Sequence, residues 1–333
     1  MSNKKHFQIS QQAAEKLAVR FGTPLLVLSL DEIKKNYKVL KKYMPRVKIH
    51  YAIKANPHPE ILRVMADMGS CFDVASDGEI STLHDMGVDG GRLIYANPVK
   101  TGVGLEACCS CGVRKMTFDS ASEIDKIKKQ CPDATVLLRL RIDNSSAHVD
   151  LNKKFGAARE NALALMQQAK EAGLDMAGVA FHVGSQTVSA DPYLHALDIA
   201  RELFEEAEAA GLKLRILDIG GGFPIPEPKV KFNLPEILRQ INARLDEDFA
   251  DAEIWAEPGR YICGTAVNLI TTVTGAAVSH GTSSMKACTE PSPVCSLTSG
   301  ISSSSASVRV MKRWQRRLQD RAAIPWILCS ADA

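Results

Sequence analysis

Between residues 48 and 257, short apolar runs alternate with longer amphipathic stretches. The apolar runs are 48–54 (KIHYAIK), 71–75 (CFDVA), 92–96 (RLIYA), 115–118 (KMTF), 135–142 (TVLLRLRI), 177–183 (AGVAFHV), 214–219 (LRILDI) and 253–257 (EIWAE). Aliphatic and β-branched residues run through them almost continuously, the pattern of strands covered on both faces. The stretches between, such as 192–210 and 234–249, carry apolar residues at helical spacing. Strands alternating with helices predict a parallel sheet, and eight such units in about 210 residues match a (β/α)8 barrel. An open doubly wound sheet is the competing arrangement. An earlier run, 24–30 (PLLVLSL), precedes the first barrel helix and is expected to be a strand lent to another domain. The chain therefore divides into an N-terminal segment (1–30), a barrel (31–275) and a tail (276–333).

Composition narrows the class. The 333 residues are 45% hydrophobic and 24% charged, ordinary for a globular protein. No run of about 18 apolar residues predicts a membrane span, and MSNKKHFQISQQAAEKL lacks the apolar core of a secretory signal. Nine cysteines without such a signal predict reduced thiols in a cytoplasmic protein. Cys108, Cys109 and Cys111 cluster without the further ligands a zinc site needs, so they are expected on a helix face or loop, with no metal. The net charge of +3 is unevenly spread: residues 279–333 hold seven Lys/Arg against three Asp/Glu, and the preceding 278 hold 34 against 35. A nucleic-acid partner would rest on the tail alone.

The unusual residues fall where strands end, the position of catalytic groups in a parallel barrel. Lys54 closes the first barrel strand, where burial would favour the neutral amine that forms a Schiff base; a snorkelling surface lysine is the plain alternative. Gly220, Gly221 and Gly222 follow the seventh strand and let backbone N–H groups converge on an anion. Glu257, Gly259 and Arg260 close the eighth, in the region where many barrels bind phosphate. His182 and Ser185 end the sixth. A lysine, a histidine, a glutamate, an arginine and a triple glycine on one rim point to an aldehyde cofactor bearing a phosphate, pyridoxal phosphate.

YAIKANP, FDVAS, YANPVK, FDS, HVGSQ, DIGGGFP and EPGRY occur in this order over residues 20–275. In this the chain resembles the barrel-type amino-acid decarboxylases, the ornithine/diaminopimelate/arginine decarboxylase family. The resemblance implies that Lys54 holds pyridoxal phosphate as a Schiff base, His182 stacks on its ring and Glu257 faces the ring nitrogen. Ser185, Gly220, Gly221, Gly222, Gly259 and Arg260 would line the phosphate, with Asp73, Glu79 and Arg139 as supporting polar residues. FDVAS and EPGRY lean towards ornithine or lysine as substrate, with diaminopimelate or arginine as the alternative. A related barrel such as an alanine racemase fits less well. The family implies a homodimer, neither membrane nor nucleic acid as partner, and a place in polyamine biosynthesis.

The family continues into a β-domain that supplies a catalytic cysteine in a GPxCDxxD motif, an acid for the substrate's distal group and a phosphate-contacting tyrosine. None is visible after residue 278, so activity is expected to be impaired and dimerisation doubtful. A non-catalytic, decarboxylase-like binding protein is a further alternative. Residues 279–307 contain 11 serines, and Arg309, Lys312, Arg313, Arg316, Arg317 and Arg321 follow. The tail is expected to be a frameshifted translation of the missing domain. In the frame that joins each codon's last base to the next two, Met285-Lys286 must give Glu and Trp326-Ile327 must give Asp. Residues 319–327 permit G-P-S-C-D-S-M-D in that frame. A genuine low-complexity tail is the alternative.

Overall fold

The computed structural model describes residues 7–142, 155–228, 230–272, 294–298 and 326–329. In chain order the elements begin with α1 (Gln11–Phe21), β1 (Leu25–Ser29), α2 (Leu30–Tyr43), β2 (Lys48–Ala52), α3 (Pro59–Asp67) and β3 (Cys71–Val74). They continue with α4 (Asp77–Asp85), β4 (Leu93–Tyr95), α5 (Gly102–Ser110), β5 (Lys115–Phe118), α6 (Ala121–Gln130) and β6 (Thr135–Arg139). Then come α7 (Arg159–Glu171), β7 (Asp175–Ala180), α8 (Asp191–Ala209), β8 (Ile216–Asp218), α9 (Leu234–Asp248) and β9 (Glu253–Ala256). Last are α10 (Arg260–Cys263), β10 (Val267–Thr272), β11 (Val294–Thr298) and β12 (Trp326–Cys329). The chain divides into two compact units, 33–225 with 231–263, and 1–32 with 226–230 and 264–333.

The larger unit is a closed barrel of β2 to β9, so the open sheet is ruled out. All neighbouring strands are parallel, and β9 returns to pair with β2 through Lys48↔Trp255 and Ile49↔Ala256. Ile94, Ala96, Leu137, Ala177, Ala180, Ile216 and Trp255 form a buried cluster contributed by the strands and their ends. Gly178 is required for the approach of β7 to β8: a Cβ there would lie 1.9 Å from the Ile216 carbonyl oxygen.

Two polar ties hold the barrel's outer layer. Arg46, after α2, donates to the carbonyls of Leu245, Phe249, Ala250 and Ala252 at 2.7 to 3.1 Å, gathering the unpaired acceptors at the end of α9. Lys100 is buried between β4 and α5, with its Nζ 2.9 Å from Glu123 Oε1 and donating to the Thr117 carbonyl at 2.5 Å. Reduced thiols were the expectation for every cysteine, and here the structure differs. Cys109 and Cys131 form a disulfide with a Cα–Cα separation of 6.1 Å, because α5 and α6 end side by side. Cys108 is buried and Cys111 half-buried, and both are free.

In the smaller unit β1 pairs antiparallel with β10 and parallel with β12, and β10 pairs antiparallel with β11. Ala14 of α1 packs with Leu25, Val27 and Ile270 in a small core. Ser10 caps α1, its hydroxyl accepting from the Ala13 amide at 3.2 Å. β10 pairs with β1 in the smaller unit, which takes up the chain again after Cys263. Apart from the paired strands β11 and β12, the expected out-of-frame tail lies outside the described residues.

Candidate active site

Parallel strands bring all eight C-terminal ends to one mouth, and the named polar residues gather there. The run expected to end on Lys54 leaves the sheet at Ala52, and Lys54 sits in a 3-10 turn, Ile53–Ala55. Ala52 lies opposite Asp73 in the register of β2 and β3. Lys54 Nζ is 3.0 Å from Asp73 Oδ2, with the lysine side chain 61% exposed and the aspartate 1%. This corrects the expectation of a desolvated, neutral amine. The Asp73 carboxylate is the largest influence and, against burial, pushes Lys54 up to about 12. The cation is favoured because its partner is on the adjacent strand while its own end faces the mouth.

His182 follows β7, and its Nδ1 accepts from the Gly184 amide at 2.9 Å, which fixes the ring. Burial, then the charges of Arg139 and Lys54, lowers its pKa to about 3, so the imidazole is neutral. Glu257 follows β9 and is buried; its amide donates to the Gly220 carbonyl at 2.7 Å. Burial first, then Asp218 and Asp73, raises the Glu257 carboxyl well above the ordinary range. Its Oε1 is buried without a hydrogen-bond partner.

The triple glycine is fixed by packing as well as by any ligand. Gly222 has φ +98°, and a Cβ there would lie 2.4 Å from the Gly184 carbonyl oxygen. At Gly221 a Cβ would lie 2.6 Å from the Glu257 carbonyl oxygen and 3.3 Å from His182 Nε2. The glycines thus bring the loop after β8 against the residues that end β7 and β9. Tyr193 of α8 donates to the Gly221 carbonyl at 2.8 Å, and Gln186 pairs with both the amide and the carbonyl of Ile225.

The remaining expected residues spread around the same mouth. Arg139 is the half-buried last residue of β6, Ser185 is half-buried after β7, and Arg260 is exposed at the start of α10. Gly259 packs against the end of β2, where a Cβ would lie 2.9 Å from that of Ala55. Glu79 acts within its own helix, where its Oε2 accepts from the Ala75 amide at 2.6 Å and closes the first turn of α4. Sequence reasoning passed over Asp218, the completely buried last residue of β8. The signal that marked Glu257, an acid ending an apolar strand, was present there too. Tyr193 and Gln186 were missed as supports because nothing local reveals which carbonyl a side chain will meet.

The donor set fits pyridoxal phosphate. An orphaned, buried carboxyl oxygen on Glu257 suits a ring nitrogen, the solvent-facing Lys54 suits an aldehyde, and the neutral His182 ring suits an aromatic face. Among the described residues no group of three or more His, Cys, Asp or Glu is placed to hold a metal ion. No helix there is long and apolar enough to cross a membrane.

A family model described as the pyridoxal binding domain of pyridoxal-dependent decarboxylases matches residues 30–264. The lysine/ornithine decarboxylase of Selenomonas ruminantium is 51% identical over 272 residues, 81% of this chain and 69% of that protein. Antizyme inhibitor 2 of Xenopus laevis is 39% identical over 246 residues, 73% of this chain and 54% of that protein. The chain thus spans about half the length of some of its relatives. A crystal structure of the Selenomonas ruminantium lysine decarboxylase matches with a TM-score of 0.80 at 50% identity, over 84% of this chain and 73% of that one. A crystal structure of SrLDC, at 48% identity and a TM-score of 0.79 over 83% of this chain and 71% of that one, holds PLP and cadaverine.

Proposed function

The chain belongs to the pyridoxal-dependent decarboxylase family, and from that membership we propose that its barrel uses pyridoxal phosphate to remove CO₂ from a basic diamino acid, lysine or ornithine. The observation that carries this reading is the convergence of Lys54, His182 and the unpartnered Glu257 oxygen at one barrel mouth. Lysine and ornithine are preferred to diaminopimelate and arginine because the relative at 51% identity is named for those two.

Bound pyridoxal phosphate supplies an aldehyde that captures amines and a ring that accepts the electrons of the broken bond. The protein's part is positioning and charge. Lys54 presents its amine after giving up a proton, with Asp73 Oδ2 beside it at 3.0 Å. His182, neutral and held by the Gly184 amide, offers a ring face without adding charge. Glu257 places a carboxyl where a ring nitrogen would be met. Gly220, Gly221, Gly222, Ser185, Gly259 and Arg260 are the proposed phosphate cradle, in which the backbone binds and the guanidinium neutralises.

The groups that the family draws from its second domain, including its catalytic cysteine, are not legible in residues 279–333. The present chain is therefore proposed to turn over weakly, with that stretch an out-of-frame remnant. Sequencing the coding region from codon 274 to codon 323 tests this, and a shifted frame without Cys at Ala322-Ala323 would end it. For the reaction, purified protein is incubated with pyridoxal phosphate and reduced with borohydride, and the labelled peptide should contain Lys54. Equal labelling in Lys54→Ala would defeat the cofactor assignment. Release of CO₂ from lysine, ornithine, arginine and diaminopimelate, assayed on a frame-restored chain, ranks the substrates. Labelling without CO₂ from any of them would favour a binding protein.

A further inference from the structure

Asp218 is completely buried and belongs to no role assigned so far. Its Oδ1 accepts from the Gly220 amide at 2.8 Å, and Gly220 in turn accepts from the Glu257 amide at 2.7 Å. One glycine thus ties the two acids together through its backbone. Asp218 ends β8 and Glu257 follows the neighbouring β9, and Asp218 Oδ2 and Glu257 Oε1 are both buried without a hydrogen-bond donor. Two carboxylate oxygens cannot satisfy one another. A single proton between them makes one the donor and the other the acceptor, as in paired catalytic carboxyls.

The charges around the pair favour that proton. The acids that bear on Glu257 are Asp218 on β8 and Asp73 on β3. The cations that act on them are Lys54 after β2 and Arg139 on β6, and His182 after β7 is neutral. Three ionised, buried acids would exceed the two cations that act on them. One bound proton evens the balance.

We propose that Asp218 is a positioning residue for Glu257, the two carboxyl groups holding one shared proton in the cofactor-free barrel. The pair then carries a single negative charge, the complement of one protonated ring nitrogen, and the Glu257 carboxyl is locked in orientation by its partner. Burial raises both groups; Asp218 and Asp73 raise Glu257 further, while the Gly220 amide and Glu257 hold Asp218 down. The inference rests on the reading that Glu257 meets the cofactor ring, but the proton itself can be observed without cofactor.

Infrared difference spectroscopy of the unloaded protein at neutral pH is the direct test. A protonated-carboxyl C=O band that shifts in D₂O is expected, lost in Asp218→Asn and in Glu257→Gln. No such band in the parent, or its survival in Asp218→Asn, overturns the proposal. Binding of pyridoxal phosphate, followed by fluorescence, tests the positioning role. Asp218→Asn, a neutral donor of the same shape, should stay within about threefold of the parent, and Asp218→Ala should bind about tenfold more weakly, the worth of one charge-assisted hydrogen bond. Parent-like affinity in Asp218→Ala removes that role. A parent that binds no pyridoxal phosphate defeats the cofactor reading instead, and the infrared result still decides the shared proton.

Discussion

The ammonium of Lys54 stands 3.0 Å from Oδ2 of Asp73, an exposed cation paired with a buried anion. The pair sets the acid–base state in which the protein meets an aldehyde. An amine attacks only when neutral, and the ion pair holds the lysine up at about 12.

Replacing Asp73 with Asn should let the lysine fall from about 12 towards its ordinary 10.5. The rate at which the unloaded protein captures pyridoxal then rises at neutral pH, and the alkaline limb of its pH profile moves to lower pH. Stopped-flow absorbance across pH 7 to 10 measures both. An unchanged profile would mean that the ion pair does not control the amine.

His50 on β2 is completely buried against Trp255, with ring centroids 4.7 Å apart and neither ring nitrogen paired. Burial, aided by Lys115, lowers its pKa from 6.5 to about 3. Between those values the unfolded chain binds a proton that the folded chain refuses, so stability falls as pH falls through that window. At pH 5 the loss from His50 is about 2 kcal/mol. His50→Leu should raise the urea midpoint more at pH 5 than at pH 8. His182 contributes with the same sign, and Asp218, raised instead of lowered, with the opposite one.

Arg46→Met should lower stability by about 2 kcal/mol, the scale of a hydrogen bond from a charged group, since several freed carbonyls can turn to water. The unravelling should begin where α9 meets β9, visible as faster hydrogen exchange over 245–253. Uniform loss of protection across the barrel would argue against a local tie.

Lys100→Met breaks a buried ion pair and leaves Glu123 to Lys126, which is 2.6 Å from its other oxygen. The expected cost is about 3 kcal/mol, because an incompletely paired charge stays buried. Lys100→Met combined with Glu123→Gln should recover part of that loss in denaturant titrations. Strict additivity of the two changes would show that the groups are not coupled.

What the sequence determined was periodic or local. Eight apolar runs separated by amphipathic helices define a barrel because hydrophobic spacing is written residue by residue. Lys54, His182 and Glu257 stood out because a polar group ending an apolar strand is visible in the string itself. The tertiary structure decided what those groups meet. The ion pair at Lys54, which holds the amine more firmly cationic, depends on a register that sets Asp73 of β3 opposite Ala52 of β2. Asp218 drew no notice in the string until β8 and β9 lay side by side and set it beside the strand that leads into Glu257. Charge state is a property of neighbours, and the pairing of β8 with β9 makes neighbours of residues 39 apart in the chain, as Asp218 and Glu257 are.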